Sequence, residues 1–393
     1  MIYLDNAATT LHKPESVIDA VVNAMRTQGN ASRGAHNATL SASRTVYDAR
    51  VKIAKFFNFD EPSNVIFTCN STEALNIAIN GTIKEGYRVI STDTEHNSVL
   101  RPLYHLEKTK NIDLNFVKAD ENGILSISDF EKLIDDRTKV VVVNHISNLT
   151  GNVNDIKKIS EITHRKGAIL IVDGSQSAGT RKVDVKELDI DIYCFTGHKG
   201  LLGPQGTGGI LVKDGIEIDA WKRGGSGVKT YEEDQPLDYP TRLEAGTLNS
   251  HGIAGLSAAI DYLNEIGIEN VEKRELELTR YFYEEIIKIP GVKVYGDFSW
   301  IGDSNKSVNA VSDSFLGHAG IVSLNVKDYD SGEVSDALSN DYGIATRPGA
   351  HCAPRLHIAL GTKYQGAVRF SFSYFTTYEE LDVAIGALKD IAS

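Results

Sequence analysis

Apolar positions change their spacing twice along the chain. Residues 14–27 and 41–57 repeat apolar side chains every three to four positions, the period of an amphipathic helix, and Pro14 suits a first helical turn. Short runs rich in β-branched residues follow at 65–68, 88–91, 114–117, 139–144, 168–172, 190–195 and 208–212, mostly separated by helical or polar segments. Seven such runs predict an α/β layer, a largely parallel sheet covered on both faces. From about His251 the rhythm lengthens, to helices at 253–264 and 271–289 and strands near 292–295, 307–312 and 320–326. A helix at 332–342, a strand at 367–373 and a helix at 378–391 complete a smaller α+β unit. The domains expected are 13–250 for the α/β unit and 251–393, with 1–12, for the second.

Charge narrows the function. With a formal charge of -12 the chain offers no basic excess for a nucleic-acid backbone or an acidic membrane surface. No apolar run approaches the ~20 residues of a membrane span. The first residues carry no basic region followed by an apolar stretch, so a cytoplasmic protein is expected. Cys69, Cys194 and Cys352 form no Cys-x-x-Cys pair, which supports neither a disulfide framework nor a zinc ribbon. A small-molecule site is the direction left.

In open α/β sheets ligands gather at the carboxyl ends of the strands, and here those ends are polar. The first run leads to Ser71 and Thr72 at a helix start, where free N–H groups, a positive dipole end and hydroxyls suit a phosphate. Plain capping by Asn70 or Ser71 explains the same letters. Later runs deliver His96, Asn148, Asp173 with Gln176, and Thr196-Gly197-His198-Lys199. Alone, His96 reads more readily as a surface or satisfied histidine, and Lys199 as a solvent-facing lysine in a glycine-rich turn. Asp173 differs, because a carboxylate ending a buried strand costs several kcal/mol unless paired.

Pyridoxal 5'-phosphate satisfies these residues together: its aldehyde needs a lysine, its ring nitrogen a carboxylate and its phosphate a helix start. Lys199 would form the Schiff base and Asp173 would keep the ring nitrogen protonated. His96 would stack on the ring, Gln176 would hydrogen-bond its oxygen, and Asn148 would orient ring and substrate.

The ordered set Asp5-Asn6-Ala7-Ala8-Thr9-Thr10, Ser71-Thr72-Glu73, Glu95-His96-Asn97, Ser147-Asn148, Asp173-Gly174-Ser175-Gln176, Gly197-His198-Lys199, Glu244-Ala245-Gly246-Thr247 and the Cys352 loop spans nearly the whole chain. It resembles the cysteine desulfurases and selenocysteine lyases of the class V aminotransferase group. These are fold-type I pyridoxal phosphate enzymes with a mostly parallel seven-stranded sheet and a smaller C-terminal domain. The resemblance implies Ser71, Thr72, Thr196 and His198 as phosphate ligands, and Thr247 reaching the phosphate of a neighbouring subunit in a homodimer. It implies Arg369 as the holder of the substrate carboxylate, a bidentate task, with Asn6, Ala7 and Arg347 also lining the substrate position.

In that family the reaction turns on a thiol. Cys69 and Cys194 end or lie within apolar strands and read as buried, inert residues. Cys352 sits between Pro348 and Pro354, with Arg347, His351, Arg355 and His357 nearby, cations that would raise its thiolate fraction. The resemblance implies catalysis by Lys199, His96 and Cys352: L-cysteine becomes L-alanine, and its sulfur passes to Cys352 as a persulfide. A protein acceptor, as in iron–sulfur cluster assembly, would then take the sulfur. Ala350 and Pro348 depart from the Arg-x-Gly-His-His-Cys of relatives, leaving reactivity and acceptor choice open.

Other readings stay open here. L-selenocysteine as substrate, or another class V aminotransferase in which Cys352 is incidental, fits the same residues. A non-catalytic scaffold fits poorly with intact Lys199, Asp173, His96 and Arg369. The glycines between Gly203 and Gly209 precede a strand, whereas a dinucleotide fingerprint follows a strand and opens a helix. Zinc at Cys352, His351 and His357 lacks a fourth ligand, so no metal is expected.

Overall fold

The computed structural model describes residues 1–31, 34, 36–301 and 317–393, and the strand expected at 307–312 lies outside the described residues. In chain order its first elements are β1 (Ile2–Tyr3), α1 (Glu15–Thr27), α2 (Asn37–Phe56), β2 (Val65–Thr68), α3 (Ser71–Thr82), β3 (Arg88–Thr92), α4 (Asn97–Thr109), β4 (Asp113–Val117), α5 (Ile127–Leu133), β5 (Thr138–Asn144), α6 (Ile156–Arg165), β6 (Ile169–Asp173), β7 (Ile192–Thr196) and β8 (Gly208–Val212). They are followed by α7 (Ser250–Ile266), α8 (Ile268–Ile286), β9 (Val292–Tyr295), β10 (Ile321–Val326), α9 (Ser331–Tyr342), β11 (Ile344–Ala345), α10 (Pro354–Ala359), β12 (Val368–Ser371) and α11 (Tyr378–Ala392).

Period-two alternation builds the large sheet. Val141, Val143, Leu170, Val172 and Phe195 face one core with Ile53 of α2, Ile159 of α6 and Leu256 of α7. Their neighbours Val140, Val142, Ile171, Ile192 and Cys194 face the other, with Leu75 and Ile79 of α3 and Leu103 of α4. A strand buried on both faces needs the continuous apolar run that Val140, Val141, Val142 and Val143 supply. The strand order is β2-β8-β7-β6-β5-β3-β4. Only the pairings of β8 with β2 and β7 are antiparallel, so the other strands all end at the same edge.

A second core forms around the antiparallel order β12-β10-β9. Leu278, Phe282 and Ile286 of α8 pack there with Val322 and Leu324 of β10 and Leu381 and Leu388 of α11. Leu4 joins it, because β1 pairs in parallel with β11. Sequence pattern assigns α7 to this second unit, yet Ile253, Leu256, Ala259, Ile260 and Leu263 lie in the first core. Val271 also belongs to the first core while Leu278 belongs to the second, so the change of core falls within α8. Periodicity reports that a helix has an apolar face and not which sheet covers it.

Candidate active site

Residues far apart in sequence meet where the parallel strands end. A cavity of about 280 Å³ is lined by Ser71 and Thr72 after β2, His96 after β3, Asn148 after β5, Asp173 and Gln176 at and after β6, and His198 and Lys199 after β7. Ala7, Arg347 and Arg369 of the other unit close it. Its volume is near the lower end of the roughly 300–1,000 Å³ of small-molecule sites.

The lysine loop is held from beneath. The hydroxyls of Thr9 and Thr10 donate to His198 O at 3.2 and 3.1 Å, and Lys13 Nζ donates to the same oxygen at 3.1 Å. Two glycines let the loop pack this tightly. A Cβ on Gly197 would lie 2.1 Å from Thr207 Oγ1, and one on Gly200 2.7 Å from Ala178 O. The N-terminal motif therefore shapes the loop that presents Lys199, although of its residues only Ala7 and Ala8 line the cavity.

Around the cavity, hydroxyls link the charged groups. Asp173 Oδ1 accepts from Ser175 N at 2.9 Å and from the Ser175 hydroxyl, whose oxygen is 2.7 Å from Ser71 Oγ. His96 Nδ1 accepts from Ser98 N at 3.0 Å, which leaves Nε2 as the protonated ring position. Ser98 Oγ is 2.8 Å from Thr72 Oγ1, so it connects His96 to the start of α3. Sequence reasoning gave Ser98 and Ser175 no role, although each lies two residues beyond one it did assign, His96 and Asp173.

Burial sets the protonation states. It lowers the Lys199 ammonium to about 8; Asp173 opposes the shift, while Arg369 and Arg347 add to it. Burial likewise lowers His96 and His198 to about 4, so both imidazoles are neutral at pH 7. Beneath His96, the wholly buried Glu95 accepts from Thr92 Oγ1 at 2.7 Å and Asn144 N at 3.0 Å, while its Oε2 has no hydrogen-bond partner among the described residues. Desolvation raises this carboxyl to about 8, with Asp173 adding to the shift, so it is mostly a neutral acid at pH 7.

These residues fit pyridoxal phosphate. Lys199 makes no hydrogen bond through its amine among the described residues, and the buried Asn148 Oδ1 and His198 Nδ1 also lack partners. A helix start, an unpaired amine and a strand-end carboxylate share one cavity, as the cofactor's phosphate, aldehyde and ring nitrogen require. Because only the neutral amine attacks an aldehyde, cofactor uptake by cofactor-free protein should accelerate about tenfold per pH unit below 8 and level above it. Rapid-mixing absorbance measurements from pH 6 to 10 check this; a rise continuing to pH 10 would contradict the assignment of Lys199.

Arg369, only 1% exposed, donates Nη1 to Asn148 O at 2.9 Å and Nη2 to Asp5 Oδ1 at 2.8 Å, and its Nε has no partner among the described residues. Asp5 stands in the N-terminal motif, but its pairing with Arg369, more than three hundred positions later, was not visible in the sequence. Gln176 Nε2 donates to Ala7 O at 3.0 Å. Asn6 does not line this cavity; its amide donates to Ser371 O at 2.9 Å. Thr196 is buried at the end of β7 outside the lining, and Thr247 is exposed, also outside it. Glu244, which precedes Thr247, ties that segment to β2 by accepting from Phe67 N at 2.6 Å and pairing with Arg50.

Cys352 lines a second cavity of about 540 Å³, which shares Thr72, His96 and Ser98 with the first. Its carbonyl accepts from Asn97 N at 2.7 Å, and Asn148 Nδ2 donates to His351 O at 2.8 Å. His351 and Cys352 both have positive φ, +48° and +56°, an unusual conformation for two successive non-glycine residues. The surroundings correct the expectation of free cations at three of the four positions, Arg347 being the fourth. Burial keeps His351 and His357 below their ordinary value, and their rings stack at 5.7 Å. Arg355 is spent on Asp93 at 2.8 Å and on the Phe116 ring. Cys194 is buried as expected, but Cys69 is exposed, because the turn after β2 carries it out of the sheet. Burial and Glu73 raise the Cys69 thiol, which disfavours its thiolate.

The parallel sheet with a lysine, a carboxylate and a helix start at its carboxyl edge defines a fold-type I pyridoxal phosphate enzyme. The aminotransferase class-V family model matches residues 2–383. The chain belongs to this family. It is 36% identical to a probable cysteine desulfurase of Methanothermobacter thermautotrophicus, covering 100% of this chain and 94% of that one. A cysteine desulfurase of Haloferax volcanii is 34% identical over 99% of this chain and 88% of its own length. Among solved structures, the apo cysteine desulfurase of Thermococcus onnurineus superposes with a TM-score of 0.88 at 32% identity, over 100% of this chain and 94% of that one.

Proposed function

We propose that this enzyme is a cysteine desulfurase that converts L-cysteine to L-alanine and leaves the sulfur on Cys352 as a persulfide. The observation that carries the reading is the placing of the Cys352 turn against His96 and Asn97, beside the Lys199 cavity. Relatives named as cysteine desulfurases over the full length support it.

Bound pyridoxal phosphate supplies an aldehyde for an amine and a ring that withdraws electrons from the substrate Cα. Ser71 and Thr72 would hold its phosphate, Asp173 its ring nitrogen and Gln176 its ring oxygen, with His96 against the ring. Arg369, positioned by Asp5 and Asn148, receives the substrate carboxylate beside Arg347. Lys199, lowered to about 8, accepts the Cα proton and returns it, a task that needs a base near the working pH. The Cys352 sulfur bonds to the substrate sulfur as the Cβ–S bond breaks. Protonation of Cβ completes alanine.

Incubation with L-cysteine tests the reading: alanine should accumulate, and mass spectrometry should find one extra sulfur on Cys352. A keto acid in place of alanine would refute it. Arg369→Lys loses the planar fork, and is expected to lower kcat/KM about ten- to a hundredfold, chiefly through KM, as steady-state kinetics will read.

The active unit is read as a homodimer. Ile18, Val22 and Met25 form an exposed apolar stripe on α1, and Val228, Tyr231 and Leu237 are exposed near the segment carrying Thr247. A second copy would cover such surface and bring Thr247 to its neighbour's phosphate site. No helix among the described residues is long and apolar enough to cross a membrane. Three free cysteines suit a reducing, cytoplasmic setting, where a protein acceptor, as in iron–sulfur cluster assembly, would take the sulfur.

A further inference from the structure

The cavity that holds Cys352 has a built shape. On α3, Thr72, Asn76 and Asn80 recur every four residues and line one side; on α4, Asn97, Arg101 and His105 recur at the same spacing and line the other. Four-residue spacing keeps each set on one helix face. Pro102 and Trp221 complete the lining, and Trp221 is 48% exposed. Eight residues of helix rise about 12 Å, the length of about four residues of extended chain.

Its charge runs against that of the whole chain. Arg101 is exposed and has no ion-pair partner among the described residues, and His105 is exposed beside it. Among the described residues no carboxylate lines the groove, although the chain carries a net charge of -12. Glu73 of α3 lies outside the lining, bound to Cys69 N at 2.6 Å and Lys222 at 2.9 Å.

We propose that this groove between α3 and α4 docks the sulfur acceptor, as an extended acidic segment of about four residues that carries its thiol to Cys352. This rests on the desulfurase reading. Asn76, Asn80 and Asn97 line the path of the peptide, the first two with their amide nitrogens held by Thr72 O and Asn76 O at 2.8 Å, and Arg101 and His105 face its carboxylates. The acceptor thiolate attacks the outer sulfur of the Cys352 persulfide. An acceptor S–S bond forms, the bond from Cys352 Sγ breaks, and its electron pair leaves on Sγ, which takes the proton the acceptor lost. The acceptor thiol is thereby oxidised to a persulfide and Cys352 is reduced to a thiol. Sulfur then leaves by a route that does not pass Lys199.

The test uses the holoenzyme with two synthetic pentapeptides, a cysteine flanked on both sides by two glutamates or by two lysines. Peptide persulfide is read by mass spectrometry, and alanine formation with dithiothreitol is read separately. The acidic peptide should accept sulfur at least about tenfold faster at low salt, and the advantage should shrink as salt rises. R101E should abolish that preference while alanine formation with dithiothreitol stays unchanged, and H105E should act in the same direction. Equal rates for the two peptides, with alanine formed normally, would overturn the docking inference alone. A change of oligomeric state in R101E would give the groove to a second copy of the chain and also overturn it. If the intact enzyme forms no alanine from L-cysteine, the desulfurase reading fails and the inference with it.

Discussion

Lys199→Ala is expected to lower alanine formation by about 10⁴-fold or more, and to leave the cofactor removable by gel filtration. The loss should be large because, in the proposed mechanism, one amine both attaches the cofactor and moves the Cα proton, and among the described residues no other lysine lines the cavity. Borohydride should fix the cofactor to the parent protein and not to the variant. Activity within tenfold of the parent would refute the role. Stability should move the other way. A lysine whose folded pKa is about 8, against 10.5 when free, binds fewer protons folded than unfolded between those values, so its burial penalty is complete below pH 8 and vanishes by 10.5. The cofactor-free variant should therefore melt no lower than the parent at pH 7, with any advantage fading as pH rises through that window.

Much of this site was legible because parallel strands deliver their ends to one edge. Once the runs ending near Thr68, Thr92, Asn144, Asp173 and Thr196 are taken as parallel strands, the residues after them must converge, whatever their separation in sequence. Position along a strand was less informative about facing. Thr196 ends β7 yet lies outside the cavity lining, while Lys199, three residues on, lines it. Contacts between units were not legible at all. Nothing near Arg369 in sequence announces Asp5, and α7 shows the same apolar periodicity whichever core covers it. The cations around Cys352 were visible as letters, but burial of His351 and His357 and the pairing of Arg355 with Asp93 exist only in the fold. Sequence proximity counted three charges that burial or pairing removes from the thiol's surroundings, and left Arg347.

That neutralisation sharpens what Cys352 must do. Replacing it by alanine is expected to leave cofactor binding and its absorbance unchanged, because Cys352 lies outside the Lys199 cavity and anchors its turn through a backbone carbonyl. The left-handed φ of +56° strains alanine much as it does cysteine, so the turn should persist. Alanine formation should nevertheless fall by at least about 10³-fold, since among the described residues no other sulfur nucleophile lines either cavity. Dithiothreitol, which only unloads a persulfide already formed, should not restore it. The two variants thus fail at different points: Lys199→Ala before the Cα proton leaves, Cys352→Ala after it. Exchange of the substrate Cα hydrogen with deuterated solvent separates them, because it should persist in Cys352→Ala and be absent in Lys199→Ala. Full alanine release by Cys352→Ala would make the thiol incidental and reassign the enzyme to another reaction of its family.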